Sequence, residues 1–197
     1  MSPIPISPGH RERSARLFAA IALGEAARAA GAAVAARLQA AAFAARYEDP
    51  AKYHITLAFL GNVERSRTDD VAAALASAAR QCERFALELD KLGAFPHERK
   101  PRIVYIGARD AGPGYRALST RTRAAFAGLG FTFEGDAVAH VTIARVKEPV
   151  RPLPAIDVAP FHVAVDAAVL LESFFDAAAN TSHYTVVATA PLAAEAV

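Results

Sequence analysis

At 197 residues, with 53% apolar and 21% charged side chains, the chain has the length of one ordinary domain or two small fused lobes, and its composition excludes a disordered polymer. A net charge of +2 is far from the basic stripe of a duplex-binding protein, no run is long and apolar enough for a membrane helix, and the single cysteine, Cys82, excludes an internal disulfide or a cysteine-rich zinc site. A reduced, cytoplasmic protein is expected, with a core packed by Leu, Ile, Val and the 11 Phe, because 49 alanines make up about half of the apolar fraction and add little volume.

Residues 1–13 hold three prolines and a glycine without periodicity, and read as a flexible arm ahead of a single two-lobed domain spanning 14–197. Arg16 to Leu23 is a short apolar run, expected as a buried strand. Glu25 to Ala45 places Val34 and Leu38, with Ala41 and Ala45, on one helical face, and Gly31 weakens it by roughly 1 kcal/mol relative to alanine. Pro50 breaks the chain before the strand-forming run Lys52 to Leu60. Thr68 to Arg84 is expected as a second helix, with Thr68 as N-cap and Asp69 and Asp70 complementing the dipole. Phe85 to Leu92 and Pro101 to Gly107 read as strands. Tyr115 to Leu129 reads as a third helix with Leu118, Phe126 and Leu129 near one face, closed by Gly130. His140 to Val146 is a strand, followed by a Pro-rich turn from Pro149 to Pro154. Phe161 to Leu171 and His183 to Ala190 are the last strands. Strand, helix and strand from Arg16 to Leu60 are echoed from Pro101 to Val146.

The echo extends to chemistry. His54-Ile55-Thr56-Leu57 and His140-Val141-Thr142-Ile143 share the frame H-[IV]-T-[LI]-A, with both histidines and both threonines 86 positions apart. On a strand, alternate residues share a face, so each segment shows an imidazole and a hydroxyl to one side and aliphatics to the other. Composition alone gives about 0.3 His-x-Thr tripeptides, so one copy would mean little. His183-Tyr184-Thr185 is a third match outside the longer frame, and His183 reads as a rim or chance residue. A lone histidine on a half-buried strand is ordinarily structural, whereas two matched copies in equivalent contexts point to a shared site.

Two imidazoles suit phosphodiester cleavage: one removes a proton from the nucleophile while the other protonates the leaving oxygen, both near neutral pH. Two hydroxyls beside them can donate to the non-bridging oxygens as charge builds. The scheme needs no metal and no cofactor, and the sequence offers no H-E-x-x-H, cysteine pair or carboxylate cluster to hold one.

At these residues the chain resembles the 2H phosphoesterase superfamily, in particular its branch of RNA 2′,3′-cyclic phosphodiesterases, historically called 2′-5′ RNA ligases. The resemblance runs from about Arg16 to Pro191 through RLFAAIAL, Arg46-Tyr47, HITLAFLG, LGAFPHERKPRIVYIG, HVTIARV and VLLES followed by Tyr184. Tyr47 stands where that branch often has Trp, Ala139 where a Pro commonly precedes the second His, and Phe174 to Asn180 is unlike its usual Gly-containing turn. The resemblance implies an α+β fold of two pseudo-symmetric lobes, each an antiparallel sheet with helices on its outer face and the active-site groove between them. It also implies metal-independent opening of a 2′,3′-cyclic phosphate to a 2′-phosphomonoester, with His54 as proton donor, His140 as proton acceptor, and Thr56 and Thr142 on the phosphate.

Arg145 sits at odd spacing from His140. A bulge or the strand end would turn it to the phosphate; otherwise it is a surface or inter-lobe ion-pair residue. Arg46, Arg99, Lys100 and Arg102 are candidate contacts to an RNA backbone. Tyr47 and Phe59 are candidates to stack on a base, with apolar packing the simpler reading for Phe59. The expected partners are RNA ends or cyclic nucleotides as substrate, with no membrane and no obligatory protein partner, and the chain is expected to be a monomer. Two other functions use the same residues: the reverse, end-joining reaction, and non-catalytic binding of nucleotides or RNA ends.

Overall fold

The structure, a computed structural model, describes residues 13–148, 151–178 and 181–194. Most of the expected arm and part of the Pro149–Pro154 turn lie outside the described residues. The first strand, β1 (Ser14–Ala22), is buried on both faces from Leu17 to Ile21. Leu17, Ala19 and Ile21 join the main core, while Phe18 and Ala20 join a smaller cluster on the other face with Val169 and Leu171.

Helix α1 (Glu25–Ala40) stops five residues short of the expected end. The chain turns back through Ala42, at φ 51°, to bury Phe43. That left-handed alanine costs about 1–2 kcal/mol, offset by burial of the phenyl ring. Gly31 is there for space: a Cβ would lie 3.0 Å from the buried Tyr53 ring.

The short β2 (Arg46–Tyr47) leads to β3 (His54–Glu64). Helix α2 (Thr68–Ala79) begins after a 3-10 turn over Arg65–Arg67. Thr68 is therefore the first helical residue and not the cap, and its buried hydroxyl has no hydrogen-bond partner among the described residues. Phe85 to Leu92 divides at Asp90 into β4 (Phe85–Leu89) and β5 (Lys91–Phe95). Then come β6 (Ile103–Gly107), α3 (Gly112–Ala127) and β7 (His140–Arg145). Phe161 to Leu171 likewise divides at Asp166, into β8 (Phe161–Val165) and β9 (Ala167–Asp176), and β10 (Thr181–Pro191) comes last.

The fold is α+β with antiparallel sheets, as expected, and the sequence echo maps onto β1-α1-β3 and β6-α3-β7. One half of the sheet runs β10-β9-β1-β3 and the other β7-β6-β5, with β2 alongside β7. A single residue pair, Ile55 with Val141, joins them, so the lobes share one eight-stranded sheet. β4 and β8 form a separate ribbon. The helices pack on the face of the sheet that carries Ile55, Leu57, Val141 and Ile143, all at most 1% exposed.

Candidate active site

Because Ile55 and Val141 point into the core, the residues flanking them, His54, Thr56, His140 and Thr142, turn to the opposite face. Extending that antiparallel register by one residue sets His54 opposite Thr142 and Thr56 opposite His140. The two histidines are then diagonal neighbours, about 7–8 Å apart along the backbone.

Each imidazole is held in the same way. Nδ1 of His54 donates to the carbonyl of Lys52 and Nδ1 of His140 to that of Val138, both at 2.8 Å. A carbonyl only accepts, so Nδ1 carries hydrogen in both rings and Nε2 is the nitrogen left to gain or lose a proton. Aromatic rings then fix each plane. His54 meets Phe18 and Tyr184 at centroid distances of 5.1 and 5.2 Å, and His140 meets Phe95 and Tyr105 at 5.2 and 5.3 Å. Burial pushes both imidazoles below their ordinary range; the Lys52 and Val138 carbonyls pull the other way, and the Arg145 charge adds to the lowering.

Matching bulges interrupt the alternation at the end of each motif. Against β1, Ala19 pairs Ala58 and Ala20 pairs Thr56, so Leu57 is the extra residue. Against β6, Val104 pairs Ala144 and Tyr105 pairs Thr142, so Ile143 is. Each bulge buries two residues in succession and returns the next one to the histidine side. That residue is Phe59 in one half and Arg145 in the other. Arg145 thus lies on the Thr142 face, as a bulge would require, and also forms an ion pair.

The partner of that ion pair is Glu48, absent from every sequence motif. Its Oε1 accepts from Nε of Arg145 at 2.7 Å and lies 3.4 Å from Arg46. Its backbone N–H donates to the Ile143 carbonyl at 2.9 Å, beside the bulge. Arg46 pairs Arg145 across β2 and β7, which places both guanidinium groups on one face. Arg16, the first residue of the RLFAAIAL segment, is exposed two residues from Phe18 on the same face of β1.

Other candidates lie elsewhere. Tyr47 pairs Ala144 and so turns to the core side, where it packs partly buried and its hydroxyl donates to the Phe43 carbonyl at 2.9 Å. Arg102 stands at the far end of β6, its guanidinium on the Lys147 carbonyl. Arg99 and Lys100 occupy an exposed turn. His183 falls on the face opposite Tyr184, stacked on Phe174 at 5.1 Å. A cleft of about 800 Å³ between α3 and residues 131–139 is lined by neither motif histidine. Among the described residues no group of three or more His, Cys, Asp or Glu is arranged to hold a metal ion, and no helix is long and apolar enough to cross a membrane.

Comparison with known proteins gives a consistent result. A family model described as LigT-like phosphoesterase matches residues 21–105. A protein of Aeropyrum pernix named RNA 2′,3′-cyclic phosphodiesterase is 36% identical over 53% of this chain, and the match spans 58% of that relative's length. One of the same name from Thermotoga maritima is 28% identical over 77% of this chain and 82% of the relative. The crystal structure of E. coli LigT in apo form superposes with a TM-score of 0.73 at 25% identity, covering 92% of this chain and 99% of that one. The chain is thus similar to the LigT-like phosphoesterases over residues 21–105 and shares the fold of E. coli LigT.

Proposed function

We propose that the protein hydrolyses the 2′,3′-cyclic phosphate at an RNA end, or in a small cyclic nucleotide, to a 2′-phosphomonoester, using two histidines and no metal. The observation that carries this reading is the paired Nδ1 anchoring: both rings present Nε2 from one face across the Ile55–Val141 pair. The name RNA 2′,3′-cyclic phosphodiesterase, carried by relatives from several organisms, supports the same substrate class.

In this reading neutral His140 takes a proton from water through Nε2 as the water oxygen attacks phosphorus. Protonated His54 gives its Nε2 proton to the departing 3′ oxygen, so the P–O3′ bond breaks and the phosphate stays on O2′. The hydroxyls of Thr56 and Thr142 donate to the two non-bridging oxygens as the pentacovalent phosphorus gathers charge, and Arg145 adds a cation beside them. After turnover His54 is neutral and His140 charged, and exchange with solvent resets both. Phe59 offers a platform for the terminal base. Desolvation favours neutral imidazole at both rings, which suits the base; each anchoring carbonyl pulls toward the charged form, and Glu48 does so at His54 alone, against the His140 and Arg145 charges.

The test is an assay of 2′,3′-cyclic mononucleotides and of RNA ending in a cyclic phosphate, with the product phosphate located by NMR. A 2′-phosphomonoester formed at an equal rate with and without EDTA is expected. A 3′-phosphomonoester, a joined RNA product, or EDTA-sensitive turnover restored by metal would overturn the scheme.

A further inference from the structure

Arg145 is exposed along about half of its side chain, and an exposed guanidinium ordinarily samples many rotamers. Here one edge is committed. Oε1 of Glu48 accepts from Nε at 2.7 Å, and the Glu48 side chain is only 18% exposed. Glu48 is itself pinned, since its N–H donates to the carbonyl of Ile143, the bulge residue that returns Arg145 to the histidine face. One segment thus reads the bulge with its backbone and holds the resulting side chain with its carboxylate. With Nε taken, the remaining donors of Arg145 are its two terminal nitrogens, the edge that forks onto a phosphate.

We propose that Glu48 is a positioning residue, which orients Arg145 so that its terminal N–H groups meet the substrate phosphate. The proposal rests on a phosphate binding between the two histidines. It opposes a simpler view in which the carboxylate is only a counter-ion that an incoming phosphate must displace. The two views differ in sign. A positioning carboxylate helps anion binding through its hydrogen bond, whereas a competing one hinders it through its charge.

Adenosine 2′-phosphate binding, measured by titration calorimetry at fixed ionic strength, separates them without requiring turnover. Glu48→Ala is expected to weaken binding about tenfold, and to raise KM for a cyclic nucleotide by a similar factor with little change in kcat. Glu48→Gln keeps an oxygen acceptor for Nε and should bind within about threefold of the parent protein. In an Arg145→Ala background the Glu48→Ala effect should vanish, which a general structural role would not produce. Thermal melts of each variant exclude unfolding. Binding unchanged or tightened by Glu48→Ala, or an equal loss with and without Arg145, overturns the proposal while leaving the two-histidine site intact. A parent protein that does not bind the 2′-phosphate overturns the site reading and this proposal with it.

Discussion

Phe59 and Arg145 occupy the same place past matching bulges, 86 positions apart, one presenting a ring and the other a guanidinium to the histidine face. The fold is close to two-fold symmetric there, but the ligand it suits is not. A nucleotide has an apolar, stackable end and an anionic end, and in the proposed function the two halves supply one receptor for each. Phe59 is 67% exposed and meets the Phe18 ring at a centroid distance of 5.8 Å. Phe59→Ala is expected to raise KM about 5- to 100-fold, the range of one lost base–aromatic stack, with kcat retained. The melting temperature should hardly move, because little of the ring is buried. An unchanged KM across several bases would remove Phe59 from the site.

His54→Ala and His140→Ala should each lower turnover by roughly 10²–10⁴. Both side chains are only partly buried, and both Nδ1 bonds go to carbonyls that water can reach after truncation. Circular dichroism and melting curves should therefore stay close to those of the parent. Full activity in either variant would defeat the two-histidine mechanism. His183→Ala serves as the matched control and should leave kcat unchanged, since that ring stacks on Phe174 on the other face of β10.

Much of this was legible in the chain because period-2 alternation is local. His54 and Thr56 share a face whatever packs around them, and so do His140 and Thr142. The bulges at Leu57 and Ile143 were not legible, since an ordinary aliphatic residue marks neither; only the register against β1 and β6 reveals them. Their consequence for Arg145 is one of the two readings its odd spacing from His140 leaves open, and the 86-residue offset that matches it with Phe59 agrees. The breaks at Asp90 and Asp166 were hidden inside runs that alternate correctly on both sides, because the two pieces join different sheets. Tyr47 lies away from the site because its face depends on which residue of β7 it pairs. Glu48 carries no motif at all; its role comes from a contact 97 residues away along the chain.

The pH profile of kcat/KM should be a bell lying on the acid side of neutrality. The rate rises as His140 loses its proton and becomes a base, and falls as His54 loses the proton it must donate. Burial, the largest influence on both rings, lowers both limbs below the ordinary imidazole value of about 6.5. At neutral pH protonated His54 is therefore the scarce form, and mild acidification should increase the rate until His140 also becomes charged. An optimum on the alkaline side of neutrality would contradict the assignment.

Gly93 touches no substrate, yet it bears on the base. The Tyr105 ring lies over the missing side chain: a Cβ on Gly93 would come within 2.5 Å of Cζ and 2.6 Å of Oη. Gly107 leaves room on another side, where a Cβ would lie 2.9 Å from Cε2. Phe95 stacks on the same ring at 4.6 Å, and Tyr105 and Phe95 both rest edge-on against His140. An added methyl cannot be absorbed without moving a ring that holds the imidazole. Gly93→Ala is expected to destabilise the protein by about 1–3 kcal/mol, as overpacking does. It should also cut kcat roughly ten- to a hundredfold through misplacement of His140. Gly114→Ala separates the two effects. A Cβ there would lie 2.6 Å from the Phe85 ring, at the contact between α3 and β4 on the helix side of the sheet, so it should cost comparable stability. If Gly114→Ala lowers kcat as far as Gly93→Ala does, the loss reflects instability alone, and the Tyr105–His140 contact has no part in catalysis.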